Sequence, residues 1–86
     1  MRTTVWSRES KILAEALASA RREAGLHQAD VAALMGNDQT IISNIERGQR
    51  RIDLIEFRDF AIAIRRDPVE LYQTIVERWN NAEDES

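Results

Sequence analysis

Residues 28–48 read QADVAALMGNDQTIISNIERG, and this stretch decides the fold. Val31, Ala32, Leu34 and Met35 give its first part an apolar face, which predicts a short helix from Gln28 to about Met35. Gly36 breaks the pattern, as a residue able to take a positive φ does just past a helix end. Asp38 can cap a second helix, from Gln39 to about Arg47, which Gly48 closes. In that helix Ile41, Ile42 and Ile45 can face a core, leaving Gln39, Thr40, Ser43 and Asn44 on the other side. Solvated helix faces ordinarily carry Lys and Glu. A face of uncharged hydrogen-bonding side chains instead suits base edges in a DNA major groove. There Gln and Asn can bond bidentately to adenine, and Ser and Thr to several edges. Gln39, Thr40, Ser43 and Asn44 are therefore expected to contact bases.

Working outward, Ser7 or Ser10 can cap a first helix that runs to about Ala24. Its buried face is Leu13, Leu17, Ala20 and Ala24, at i, i+4, i+7 and i+11. Gly25 ends it, and Leu26 can tuck beneath the next helix. Beyond Gly48 comes the basic loop QRRI, then DLIEF, where Asp53 and Glu56 form a capping box. Ile52 and Phe57 occupy the staple positions of the same boundary, so a fourth helix from Leu54 to about Arg65 follows. Leu54, Phe57, Phe60 or Ala61, and Ile64 supply its inner face. A fifth helix starts at DPVE, with Asp67 capping, Pro68 at N1 and Glu70 completing a second box. Residues 1–6 read as an extended arm, with Trp6 packing back on the domain or facing a partner, and residues 80–86, NNAEDES, as a frayed acidic tail. With no repeat, linker or strand-like alternation, the expected architecture is all-α: a compact five-helix bundle over residues 7–79.

Composition bounds what this domain can do. Eighty-six residues make one domain, and 43% hydrophobic with 31% charged residues is globular rather than disordered. There is no cysteine, which fits a reducing compartment, and no run approaching the ~20 apolar residues of a membrane span. The N-terminus lacks an apolar signal-like block, so a cytoplasmic protein without a membrane partner is expected. The net charge of −3 is unevenly spread. Residues 1–66 hold eleven basic and nine acidic side chains, a net of +2, and residues 67–86 hold one and six, a net of −5. The proposed reading helix thus lies away from the acidic end. No nucleophile–base pair, phosphate-cradling glycine loop or ligand cluster is visible, and His27 is the only histidine. An enzyme, a metal site, a cofactor and a small-molecule substrate are accordingly not expected.

Arg47, Arg50 and Arg51 follow the reading helix, where they would lie along a phosphate backbone. In the fifth helix Leu71, Ile75 and Trp79 lie at i, i+4 and i+8, flanked by Tyr72 and Val76. Apolar residues on more than one side suggest that Leu71, Tyr72, Ile75 and Trp79 form a dimer contact. A two-fold dimer would set two reading helices ~34–36 Å apart on a palindromic site.

The order LASARREAGLHQADVA, GNDQTIISNIERGQRRID and IEFRDFAIAIRRDPVEL, from Leu17 to Leu71, resembles the phage-repressor (Cro/XRE-like) helix-turn-helix family. The resemblance implies a lambda-repressor-like fold with Gln39 to Arg47 as recognition helix. It also implies that Gln28 touches a phosphate and braces Gln39, and that Arg21 and Glu46 form a partly buried ion pair. The chain differs from the family at His27, where Ser or Thr is usual, and at Ala63-Ile64-Arg65-Arg66, where a small-Leu-Gly step is usual. The function implied is a sequence-specific regulator of transcription that binds double-stranded DNA, a homodimeric repressor on a palindromic operator. The alternative is an antitoxin-like interaction module of the same fold, with weak or no DNA binding, that grips a protein partner through its tail or its Trp79 face.

Overall fold

The computed structural model describes residues 7–84, the last two by backbone alone. They form α1 (Arg8–Glu23), α2 (Gln28–Met35), α3 (Gln39–Glu46), α4 (Leu54–Ala63) and α5 (Pro68–Asp84). The arm expected over residues 1–6, Trp6 included, lies outside the described residues.

Side-chain oxygens mark where the helices begin. Ser7 Oγ accepts from the Ser10 N–H at 3.1 Å, and an Asp38 oxygen from the Thr40 N–H at 3.4 Å. At α4 the box closes both ways: Asp53 accepts from the Glu56 N–H at 2.7 Å and Glu56 from the Asp53 N–H at 3.1 Å. Asp67 accepts from the Val69 N–H at 3.1 Å, one residue earlier than a box with Glu70 requires. His27 is a partial substitute for Ser or Thr. Here the Asp30 carboxylate accepts from the His27 N–H at 2.8 Å, so the reach back comes from the helix.

The first four helices end alike, in paired bonds that cross the last turn from a residue of positive φ and its successor. At α3 the Gly48 N–H donates to the Ile45 carbonyl and the Gln49 N–H to the Asn44 carbonyl. Gly25, Gly36 and Gly48 hold this position in three helices, with φ of 77°, 71° and 77°. In α4 Arg65 holds it instead, at φ 63°. That is why α4 stops at Ala63, short of the expected Arg65.

Every helix sends side chains into one core, where Leu17, Val31, Ile42, Phe60, Leu71 and Ile75 are fully enclosed. Two expectations are corrected by it. Leu71 and Ile75, expected at a dimer contact, are 1% and 0% exposed and have no surface left to offer a partner. Their i, i+4 spacing is the inner face of α5. Leu54, expected inside, is 80% exposed, because α4 enters the core only from Phe57 onward. The third difference is length: α5 runs through Asp84, over residues expected to fray. It is tied to the start of α1 by Trp79 Nε1, which donates to the Glu9 carbonyl at 3.0 Å. A second tie is Arg8 Nη1, which donates to the Ala82 carbonyl at 3.2 Å. Tyr72 stands edge-on to both Phe57 and Trp79, with ring centroids 6.4 and 6.2 Å away.

Candidate nucleic-acid interface

Burial of Ile42 and Ile45 fixes the rotation of α3 about its axis. The outward stripe is then Gln39 and Thr40, exposed, followed one turn later by Ser43 and Asn44, half-buried. With Asp38 and Arg47 these residues line one shallow cleft. The four side chains expected to contact bases are therefore brought together on a single open surface. Asp38 sits at its edge and spends one carboxylate oxygen on the helix cap.

An ion pair sets the tilt of this helix. Arg21 Nε donates to Glu46 Oε2 at 2.7 Å and Arg21 Nη2 to Glu46 Oε1 at 3.0 Å, a bidentate pair with side chains only 10% and 4% exposed. Arg21 Nη1 also donates to the Leu26 carbonyl at 2.7 Å, closing the link between α1 and α2. Gln28 Nε2 donates to Glu46 Oε1 at 3.0 Å. The last residue of α3 is thus clamped to α1 and to the first residue of α2. Charges this enclosed survive because each guanidinium nitrogen has a partner; removing one partner leaves the other stranded, at about 3–5 kcal/mol. Gln28 does not brace Gln39 as the resemblance implied, since its amide is turned to Glu46.

The arginines after this stripe are not equivalent. Arg47 Nη2 donates to Asn44 Oδ1 at 2.6 Å, within the stripe itself. Arg50 turns the other way, donating from Nη1 and Nη2 to Glu56 Oε1 and Oε2 at 3.1 and 2.8 Å. It also donates to the Arg51 carbonyl at 3.3 Å. The hydrogen bonds from Arg50 are the main reason the Glu56 carboxyl lies below its ordinary range, helped by the Asp53 N–H and opposed by desolvation. The same bonds raise Arg50 above its own. Glu56 therefore does two jobs: it closes the α4 cap and it holds the loop after α3. Sequence reading found the first and missed the second, although a basic residue six positions before a capping-box glutamate was the available signal. Arg51 is exposed beside this pair.

Among the described residues no cluster of His, Cys, Asp or Glu could hold a metal ion, and no helix is long and apolar enough to cross a membrane. The family model described as helix-turn-helix matches residues 17–71, from the middle of α1 to the start of α5. The chain belongs to the XRE-like helix-turn-helix family. Among solved structures this helix-turn-helix protein is similar to an XRE-family like protein from Pseudomonas syringae pv. tomato. The two share 36% identity at a TM-score of 0.75, over 81% of this chain and 85% of that one. It is also similar to the restriction-modification controller protein C.AhdI from Aeromonas hydrophila, at 31% identity and a TM-score of 0.71, over 76% and 98%. The fold matches that of the controller protein C.Esp1396I, solved as a tetramer with its 35 base-pair operator, at 22% identity and a TM-score of 0.76, over 83% and 93%. No curated protein sequence matches the chain.

A second surface of the XRE-family protein was not foreseen. Leu54 and Ile55 at the start of α4 and Val69 and Tyr72 at the start of α5 are all exposed around one apolar groove, floored in part by Phe57. Of the residues expected at a dimer contact, Tyr72 lies on this surface, while Trp79 is half-buried and packs against the core.

Proposed function

We propose that this protein is a sequence-specific regulator of transcription that binds double-stranded DNA as a homodimer, most simply a repressor on a palindromic operator. The observation that carries this reading is the α3 stripe. Gln39, Thr40, Ser43 and Asn44 face solvent together while Ile42 and Ile45 anchor the helix beneath them. These four side chains would contact base edges. Gln28 has a second amide hydrogen for a phosphate, and Arg47 and Arg51 bring positive charge to the flanks. Arg50, matched by Glu56, contributes to the shape of the loop more than to its charge.

The dimer contact is assigned to the groove of Leu54, Ile55, Val69 and Tyr72 in place of Leu71 and Ile75. Burying an exposed Leu or Val side chain is worth about 1.5–3 kcal/mol, and a two-fold contact counts each residue twice. The operator-bound tetramer of C.Esp1396I supports both the ligand and the self-association.

The test is selection from a random duplex library at physiological salt. An enriched palindrome with half-site centres about 10 base pairs apart is expected. If folded protein enriches no sequence, the reading fails in favour of a protein-interaction module of the same fold.

A further inference from the structure

Building on the proposed DNA-reading role, we infer that Arg47 sets which base Asn44 reads, and that the base is guanine. The argument starts from the 2.6 Å bond between Arg47 Nη2 and Asn44 Oδ1. A guanidinium can only donate, so the amide atom facing it must be the oxygen, and the Asn44 NH₂ group is turned away from Arg47. The bond is short because its donor is charged. Three residues apart on one helix, the two side chains are neighbours on the same face, and both line the cleft of α3.

This pairing changes what the stripe offers a base. An asparagine that reads adenine must accept from N6 and donate to N7 at once, so it needs its oxygen turned toward the base. In this protein Arg47 takes one of that oxygen's two lone pairs and sets a donor-only cation beside it, which disfavours the approach of a further donor such as N6. The Arg47 guanidinium has no other partner among the described residues, so the couple presents the Asn44 amide hydrogens beside the unused Arg47 hydrogens. Two adjacent sources of donors match an edge with two adjacent acceptors. In the major groove guanine, with N7 and O6, supplies that edge; adenine and thymine each place a single acceptor beside a donor or a methyl group. Arg47 is thus a positioning residue for Asn44, a role distinct from holding a phosphate.

The experiment compares sequences selected by the wild-type chain, by Arg47→Ala and by Asn44→Ala. Arg47 is exposed and Asn44 half-buried, and neither lies in the core, so both variants should fold, which circular dichroism checks. Wild type should select guanine at one position of each half-site. Arg47→Ala removes the cation beside the Asn44 oxygen and should move that position to adenine by at least about fivefold, with the other positions unchanged. Asn44→Ala should flatten preference at the same position. The inference is overturned if Arg47→Ala keeps the wild-type base preference and weakens every sequence alike, with a salt slope smaller by about 0.9, as loss of one phosphate contact would give. It is equally overturned if wild type selects adenine there. Absence of any selected sequence for wild type would overturn the proposed function itself.

Discussion

On α3 the isoleucines go inward and the hydrogen-bonding side chains stay out; at the starts of α4 and α5 apolar side chains stay out as well. Gln39, Thr40, Ser43 and Asn44 form one exposed surface, and Leu54, Ile55, Val69 and Tyr72 form the other. The two surfaces differ in what could replace water on them. Amide and hydroxyl groups lose little by leaving water only when a partner returns each hydrogen bond, as base edges do. Leu and Val gain simply by leaving water, so a flat apolar partner suffices. One small domain thereby shows two kinds of demand for a partner, and each kind is tested by a different variant.

The largest effect should come from Glu46→Ala, which strands Arg21 and unclamps α3. A loss of about 3–5 kcal/mol in urea unfolding is expected. A loss under about 1 kcal/mol would mean that α3 holds its tilt by core packing alone. Next comes Leu54→Asp, which should weaken self-association by about 2–3 kcal/mol in sedimentation equilibrium while the monomer keeps its stability within about 0.5 kcal/mol. Leu71→Asp, made in the core only 17 residues away in sequence, should instead unfold the chain, which separates the true inner face from the outer one. If Leu54→Asp leaves association intact, the apolar surface is not the dimer contact.

A smaller effect is expected from Arg50→Ala. Its pair with Glu56 is partly solvated, at 39% and 23% side-chain exposure, so the stability cost should stay below about 1 kcal/mol. The slope of DNA affinity against salt should fall by much less than about 0.9, because Glu56 already matches the charge. The pair also has a pH signature. Glu56 has a lowered carboxyl pKa in the folded chain, so its contribution is present above its unfolded value of about 4.3 and lost as pH falls through the folded value. Wild type should therefore lose stability more steeply than Arg50→Ala in that acid range. The smallest effect is a gain. Arg65→Gly removes a left-handed residue with a side chain and should stabilise by about 0.5–1 kcal/mol in thermal unfolding.

What the sequence made legible was local. Gln28 to Met35 is bounded as expected, and Asp38, Asp53 and Asp67 each start the helix they were expected to start. These boundaries depend on hydrogen bonds to residues two or three positions away, which any short window contains. The polar stripe of α3 was legible for the same reason. The inner face of α5 was misassigned because periodicity finds Leu71 and Ile75 as one stripe without saying which neighbour covers it. That neighbour is the core built by α1, far away in sequence, together with α4. The extension of α5 past Trp79 depends likewise on Glu9 and Arg8, about 70 residues upstream. The Arg50–Glu56 pair needed knowledge of how the loop after α3 folds back onto the α4 cap.

The triple contact at Glu46 has a consequence for how such a protein changes over generations. The bonds that orient α3 are made by Arg21, Gln28 and Glu46, while the Gln39, Thr40 and Ser43 side chains make no hydrogen bond to the rest of the described chain. An eight-residue helix is too short to persist by itself, so its order comes from its caps and from its inner side. A duplicated copy of the gene can then drift at those outer codons, and so change the surface that α3 presents, without approaching the edge of its folding stability.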